Sequence, residues 1–183
     1  MNDGTRSASR TNRFERVVLP HLDAGYSVAR YLTHDPADAD DAVQEAVLRA
    51  IRYFDTLRSE ADAKAWFLAI VRRECYEAND ERRVMNVASR YEEAPPLRLL
   101  DPGPSPDVQA DRTILQQRVL DAVALLPTRL RETLMLRELQ DCSYGEISTI
   151  TGVPLGTVMS RLSRARTRLA GALRDVVDIG EVS

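Results

Sequence analysis

Thr157, Ser160, Ser163, Arg164 and Thr167, flanked by Arg161 and Arg168, share one side of a segment with helical spacing. Hydroxyls and guanidiniums bond phosphate oxygens, and an arginine can take guanine O6 and N7 with two hydrogen bonds. Such a face suits a helix lying in the major groove of DNA. The opposite side carries Leu155, Val158, Leu162, Ala165 and Leu169, a stripe predicted to face a core. From Ile147 to Arg174 there are five arginines and no acid. A solvated face on an ordinary bundle helix usually mixes Glu with Arg in i,i+4 pairs, and here there are none. Just upstream, Ser143-Tyr-Gly-Glu146 has the pattern of a capping box at a helix start. Gly152 in Thr151-Gly152-Val153-Pro154 falls where a tight turn needs positive φ. Helix, glycine turn and helix together predict a DNA-binding helix-turn-helix.

A second group is Asp41, Gln44, Glu45 and Leu48, spaced i, i+3, i+4 and i+7. An exposed leucine between carboxylates can dock a basic partner helix, although the same pattern also fits a merely soluble acidic helix. The third comprises Trp66, Phe67, Arg72, Arg73, Tyr76, Asn79, Arg82 and Arg83. Aromatics interleaved with cations can stack unpaired bases and hold a strand backbone. Trp66 alone reads better as a packing residue, since Trp66, Phe67, Ile70 and Val71 also make a core stripe.

Other chemistry has little material. The two cysteines, Cys75 and Cys142, and the two histidines, His21 and His34, stand apart, with no metal-ligand spacing and no nucleophile–base set. No phosphate-binding glycine loop occurs. The chain is therefore read as a non-enzyme without metal or cofactor, its thiols buried by default. The polar, basic start and the absence of a long apolar run predict a cytoplasmic protein with no membrane insertion.

The elements that must position these groups are helical throughout, with no strand pattern. Five of nine prolines fall between Pro95 and Pro106. They predict a linker over 94–107 between small helical domains at 14–93 and 108–176. In the first, Phe14, Val17, Val18, Leu22, Val28, Ala29 and Leu32 keep helical spacing across a kink at Pro20. Asp35 then caps a helix with Pro36 at its first position, whose predicted core stripe is Val43, Ala46, Val47, Ala50, Ile51 and Phe54. A third helix runs from about Asp62 to Asp80. In the second domain, a helix from Ser105 or Asp107 carries Ile114, Leu115, Val119, Ala122, Val123 and Leu126 and ends at Pro127. Thr128 is expected to cap the next, and the final helix to run from about Leu155 to Leu173.

The net charge of −3 is segregated along the chain. Residues 1–93 hold 14 basic and 17 acidic groups (−3), 94–107 hold 1 and 2 (−1), and 108–183 hold 10 and 9 (+1).

The runs DADDAVQEAVLRAIRYF, AWFLAIVRREC, LPTRLRETLMLREL and YGEISTITGVPLGTVMSRLSRARTRL, in this order around a proline-rich linker, resemble bacterial RNA polymerase sigma factors of the extracytoplasmic-function (ECF) group of the sigma-70 family. The resemblance implies an all-α chain with a sigma region 2 bundle and a sigma region 4 helix-turn-helix. Asp41, Gln44, Glu45 and Leu48 would face the β′ coiled coil of the polymerase core. The loop at about Arg58–Lys64 would receive a flipped base of the −10 element. Lys64, Trp66, Arg72, Arg73, Tyr76 and Asn79 would hold the opened strand. Thr157, Ser160, Arg161, Arg164 and Arg168 would meet the −35 element, while the preceding helices face the β-flap. An anti-sigma factor is a further implied partner. The alternative from another class is a stand-alone helix-turn-helix regulator with an N-terminal dimerisation or sensor domain.

Overall fold

The computed structural model describes residues 3–33, 35–86, 119 and 121–180, with side chains over 8–33, 35–79, 119 and 121–173. The proline-rich linker, Ile114, Leu115 and the side chains of Arg82 and Arg83 lie outside the described residues. The helices are α1 (Asp3–Val18), α2 (Leu22–Thr33), α3 (Pro36–Tyr53), α4 (Ala63–Asn86), α5 (Thr128–Glu138), α6 (Tyr144–Thr151) and α7 (Leu155–Gly180). No strand occurs among the described residues.

The expected kink at Pro20 is a full break. A single 3₁₀ turn, Leu19–His21, separates α1 from α2, because proline at its start cannot supply a backbone donor to a continuing α-helix. Asp35 caps α3 as expected, its Oδ1 accepting from the amides of Ala37 at 2.8 Å and Asp38 at 3.1 Å.

α2, α3 and α4 pack on one another, and α1 lies against α4. The buried stripe of α3 is Ala39, Ala42, Ala46 and Ala50, leading to Phe54. Val43 and Val47 are only partly buried, and Ile51, placed in the core from its spacing, is 42% exposed. Alanines on the inner line let α3 approach its neighbours closely, which turns the larger residues to the flanks. α2 approaches α4 closely too: a Cβ added at Gly25 would lie 2.8 Å from Phe67 Cε1. Phe54 anchors the base of this bundle, with Phe14 edge-on at 5.3 Å and Trp66 at 6.5 Å.

In the second half, Ala122, Val123 and Leu126 are buried ahead of Pro127, as their spacing predicts. Thr128 is not the cap of α5. Pro127 holds that position without a side-chain bond, and its carbonyl accepts from the amides of Leu130 and Arg131. α5 ends at Glu138, and three residues on Asp141 takes a φ of 49°, the left-handed conformation that Asp tolerates better than most residues.

The halves abut. α6 packs on α4, and α5 packs on α2 as well as on α7. One hydrophobic core runs from Phe14 and Phe67 through Leu134 and Leu136 to Val158 and Leu162. Cys75 and Cys142 are both free and buried within it. Burial pushes the Cys75 thiol up to about 12 and the Cys142 thiol up to about 11, so both are protonated at neutral pH.

Candidate nucleic-acid interface

The helix-turn-helix is built from the bonds its sequence proposes. Ser143 Oγ accepts from the Glu146 amide at 3.2 Å, and the Ser143 amide donates to Glu146 Oε2 at 2.7 Å, closing the capping box at the start of α6. Hydrogen bonding to the Glu146 carboxyl from the Ser143 side chain and then from its backbone amide holds that carboxyl below the usual carboxylate range. Gly152 ends α6 at φ 68°, ψ 26°, its amide donating to the Ser148 carbonyl. Ser148 Oγ donates to the Val153 carbonyl at 2.6 Å and braces the turn. An added Cβ at Gly152 meets nothing within 4 Å, so a substitution there is opposed by backbone strain alone. Gly152→Ala should cost about 1–2 kcal/mol of stability, read from the urea midpoint. An unshifted midpoint would mean that the turn relaxes out of the left-handed region.

α7 buries Val158, Leu162 and Ala165 against α5 and α6, with Leu169 partly covered. Leu155, expected on this stripe, is 49% exposed: the helix starts at Leu155, one turn before neighbouring elements cover it. The outward side carries Ser160, Ser163, Arg164, Thr167 and Arg168, all exposed, with Thr157 and Arg161 half-buried on its edge. Met159 joins it at 53% exposure, an apolar group that spacing did not single out. The hydroxyls of Ser160 and Thr167 donate to the carbonyls of Thr157 and Ser163, each at 3.0 Å. Arg166 is tied off the face by Glu138 at 2.8 Å.

On α3, Asp41, Gln44, Glu45 and Leu48 all lie exposed, Leu48 at 48%, so the acidic ridge exists with the leucine at its C-terminal end.

The aromatic–cationic set on α4 is divided between two faces. Successive residues of a helix point about 100° apart, which sends Arg72 and Arg73 in different directions. Arg73 lies on the side of α3, donating to Glu77 at 2.7 Å, where the guanidinium holds Glu77 below the usual carboxylate range. Burial pushes Glu74 above that range, against the pull of Arg49 at 2.8 Å. Arg73, Trp66 and Ile70 line a cavity of about 490 Å³ together with Arg49, Arg52, Tyr53, Thr56 and Ala69. Two of its lining residues, Thr56 and Trp66, flank the segment Arg58–Lys64 in sequence. Arg72 and Tyr76 point instead at α5. Arg72 Nε donates to Glu132 Oε1 at 2.6 Å, its guanidinium stacks on the Tyr76 ring at 4.6 Å, and Tyr76 Oη lies 3.5 Å from Glu132 Oε2. Lys64 Nζ donates to the carbonyl of Gln140. Asn79 is half-buried and donates weakly to the Leu32 carbonyl at 3.4 Å.

Glu132 is a residue that spacing missed. α5 buries six consecutive residues, Arg131 to Leu136, being enclosed by α7 on one side and by the first half on the other. A helix covered on all sides shows no polar stripe, so TRLRETLMLRE carries no periodic signal for its environment.

An exposed basic helix on a glycine turn, joined to a four-helix unit with an acidic ridge and an aromatic–cationic helix, defines a two-part DNA-binding helical protein. Residues 17–84 match Sigma-70 region 2, and residues 116–169 match Sigma-70, region 4. The ECF RNA polymerase sigma factor SigM of Mycobacterium tuberculosis is 30% identical over 160 residues, 87% of this chain and 76% of that one. The ECF RNA polymerase sigma-E factor of Escherichia coli is 30% identical over 82% of this chain and 80% of its own length. Among solved structures, the sigma factor RpoE of Bartonella quintana, crystallised with the anti-sigma factor NepR, superposes with a TM-score of 0.71 at 27% identity, over 88% of this chain and 97% of that one. The chain belongs to the ECF RNA polymerase sigma factors.

Proposed function

We propose that the chain is a dissociable, non-catalytic subunit that binds core RNA polymerase, brings it to promoters by their −35 and −10 elements, assists melting, and is released after initiation. The ridge of Asp41, Gln44, Glu45 and Leu48 faces the β′ coiled coil, and the helices ahead of α7 face the β-flap. Lys64, Trp66, Arg72, Arg73, Tyr76 and Asn79 hold the opened −10 strand. The cavity beside Trp66 and Arg73 takes a flipped base, because it offers an aromatic wall and guanidiniums next to the expected loop. Residues 14–93 and 108–176 form the two working units, with 94–107 spanning between the two promoter elements. The chain acts in the cytoplasm; no described helix is long and apolar enough to cross a membrane. An anti-sigma factor is a further partner, as for the Bartonella relative named above.

The observation that carries this reading is the exposed basic face of α7, free of acids over the described side chains 155–173 and docked by its buried stripe onto a capped, glycine-turned helix pair. Of its arginines, Arg164 is exposed while Arg161 is half-buried at the edge. Arg164→Ala should weaken binding of polymerase holoenzyme to its promoter by about 1–3 kcal/mol and relax preference at one −35 base pair. Arg161→Ala, reaching the backbone from the edge, should weaken all sequences alike and lower the salt slope by about one. Competition titrations on promoter and scrambled duplexes read both effects. The proposal fails if core polymerase with the purified chain yields no promoter-specific transcript while the chain alone binds a palindromic duplex.

A further inference from the structure

Three arginines of α1, Arg10, Arg13 and Arg16, are spaced i, i+3 and i+6 and reach the same short stretch of chain between α3 and α4. Arg10 Nη2 donates to the Ile51 carbonyl at 2.6 Å, while its Nε lies 3.3 Å from the Asp55 carboxylate. Arg13 Nε donates to Glu60 Oε1 at 2.9 Å, and Arg16 Nη2 lies 3.6 Å from the same oxygen. The Arg13 guanidinium also covers the Phe54 ring at 5.2 Å, where Phe14 meets the same ring edge-on.

Each contact has a reason to persist. Ile51 belongs to the last turn of α3, whose carbonyls lack partners within the helix, and a guanidinium there also meets the negative end of the dipole. Glu60 opens a 3₁₀ turn, Glu60–Asp62, which Ser59 caps by accepting from the Ala61 amide. The hydrogen bond from Arg13 holds the Glu60 carboxyl below the usual carboxylate range, so the pair stays charged through neutral pH.

The residues held by α1 alternate with residues of the cavity wall. Ile51, Phe54 and Asp55 are gripped by Arg10 and Arg13, and between and beside them Arg52, Tyr53 and Thr56 line the cavity with Trp66 and Arg73. Thr56 Oγ1 donates to the Tyr53 carbonyl at 2.7 Å and ties two wall residues together. From Ile51 to Asp62 only Phe54 and Leu57 are buried, so the core pins two points and leaves the rest of the segment to the arginines.

We propose that α1 is a positioning element for base selection: Arg10 and Arg13, acting through the Ile51 carbonyl, Asp55 and Glu60, fix the wall of the cavity, a role that rests on the reading of that cavity as the site of the flipped −10 base. Neither arginine lines the cavity itself. Exposed ion pairs add little to stability, so these act by placement, since a discriminating site must hold its groups to within about 0.5 Å.

The test uses the full chain with core polymerase and one template: the promoter that gives most transcript from genomic DNA, randomised over its −10 element, each sequence linked to a barcode in the transcript. Glu60→Arg and Arg13→Glu should each flatten the preference at one −10 position by about fivefold or more with no shift of the urea midpoint. Combined in one chain they remake the pair with its sign reversed and should restore most of the preference. Glu15→Arg, exposed on another side of α1 with the same charge change as Glu60→Arg, should leave the preference unaltered. Arg10→Ala releases the Ile51 carbonyl and Asp55 without touching Glu60 and should flatten the same position, which keeps the test decisive if a charge reversal loses its helical circular dichroism. Unchanged preference in the folded single variants would overturn the proposal. So would flattening that the double variant does not restore, because Glu60 would then meet the DNA itself. Wild-type transcripts with a preference that no variant alters remove this inference alone; a wild type with no preference at any −10 position removes the base-site reading, and no wild-type transcripts remove the function beneath it.

Discussion

Reversing Asp41 and Glu45 to Lys together should lower affinity for core polymerase by on the order of 100-fold or more, since like charges set against each other across an interface cost several kcal/mol. Both side chains are exposed on α3, on the side away from the alanine stripe. The variant should therefore keep the helical circular dichroism and melting of the wild type. Leu48 lies on the same line at 48% exposure, an apolar group one turn beyond Glu45. Leu48→Ala should weaken association by a smaller factor that is insensitive to salt, whereas the effect of the charge reversal should shrink as salt rises. Titrating labelled chain with core polymerase at two salt concentrations reads both. Unchanged affinity in the doubly reversed chain would remove the ridge from the polymerase interface.

Phe67→Ala should cost about 3–5 kcal/mol of stability, a large share of the total for a chain of this size. Phe67 is fully buried on α4, its ring against Gly25 on α2 beside Val71, so truncation leaves a cavity at the closest approach of the two helices. Trp66, the only tryptophan, lies next to it and reports unfolding by its fluorescence. Ile51→Ala on α3 is the contrast: with Ile51 42% exposed, truncation there should change stability by no more than about 0.5 kcal/mol. Urea titrations of the two variants that gave equal losses would contradict the placement of the α3 stripe.

That contrast shows where sequence reading succeeds and where it stops. Spacing put Ala46, Ala50 and Phe54 inside, and they are buried; it put Ile51 inside as well, because hydrophobicity and period alone do not distinguish the centre of a helical face from its edge. The edge is set by how closely the neighbouring helix approaches, and alanines brought that approach onto Ala39, Ala42, Ala46 and Ala50. Leu155 was misplaced for a related reason, standing one turn before its neighbours begin to cover α7. Thr128 has the right residue type for a cap, yet the extended ψ of 137° falls at Pro127, so Pro127 holds the cap position and Thr128 is already the first helical residue.

The local devices were all legible. The Asp35 cap with Pro36, the Ser143–Glu146 capping box, the left-handed Gly152 and the outward arginines of α7 follow from residue type at fixed short spacing, because each is closed by bonds within a turn or two of chain. The exposed ridge of α3 was legible as a pattern for the same reason. Division of the α4 set into a cavity-facing side with Trp66 and Arg73 and a covered side with Arg72 and Tyr76 was not. Nor was the burial of Glu132, 60 residues from its partner Arg72 in sequence. Sequence by itself determined the all-helical class, the two motifs and the chemistry each offers, since these depend on neighbours along the chain. Only the tertiary structure decided which of those groups are free to meet a partner, since that depends on which surfaces of the two halves lie against each other.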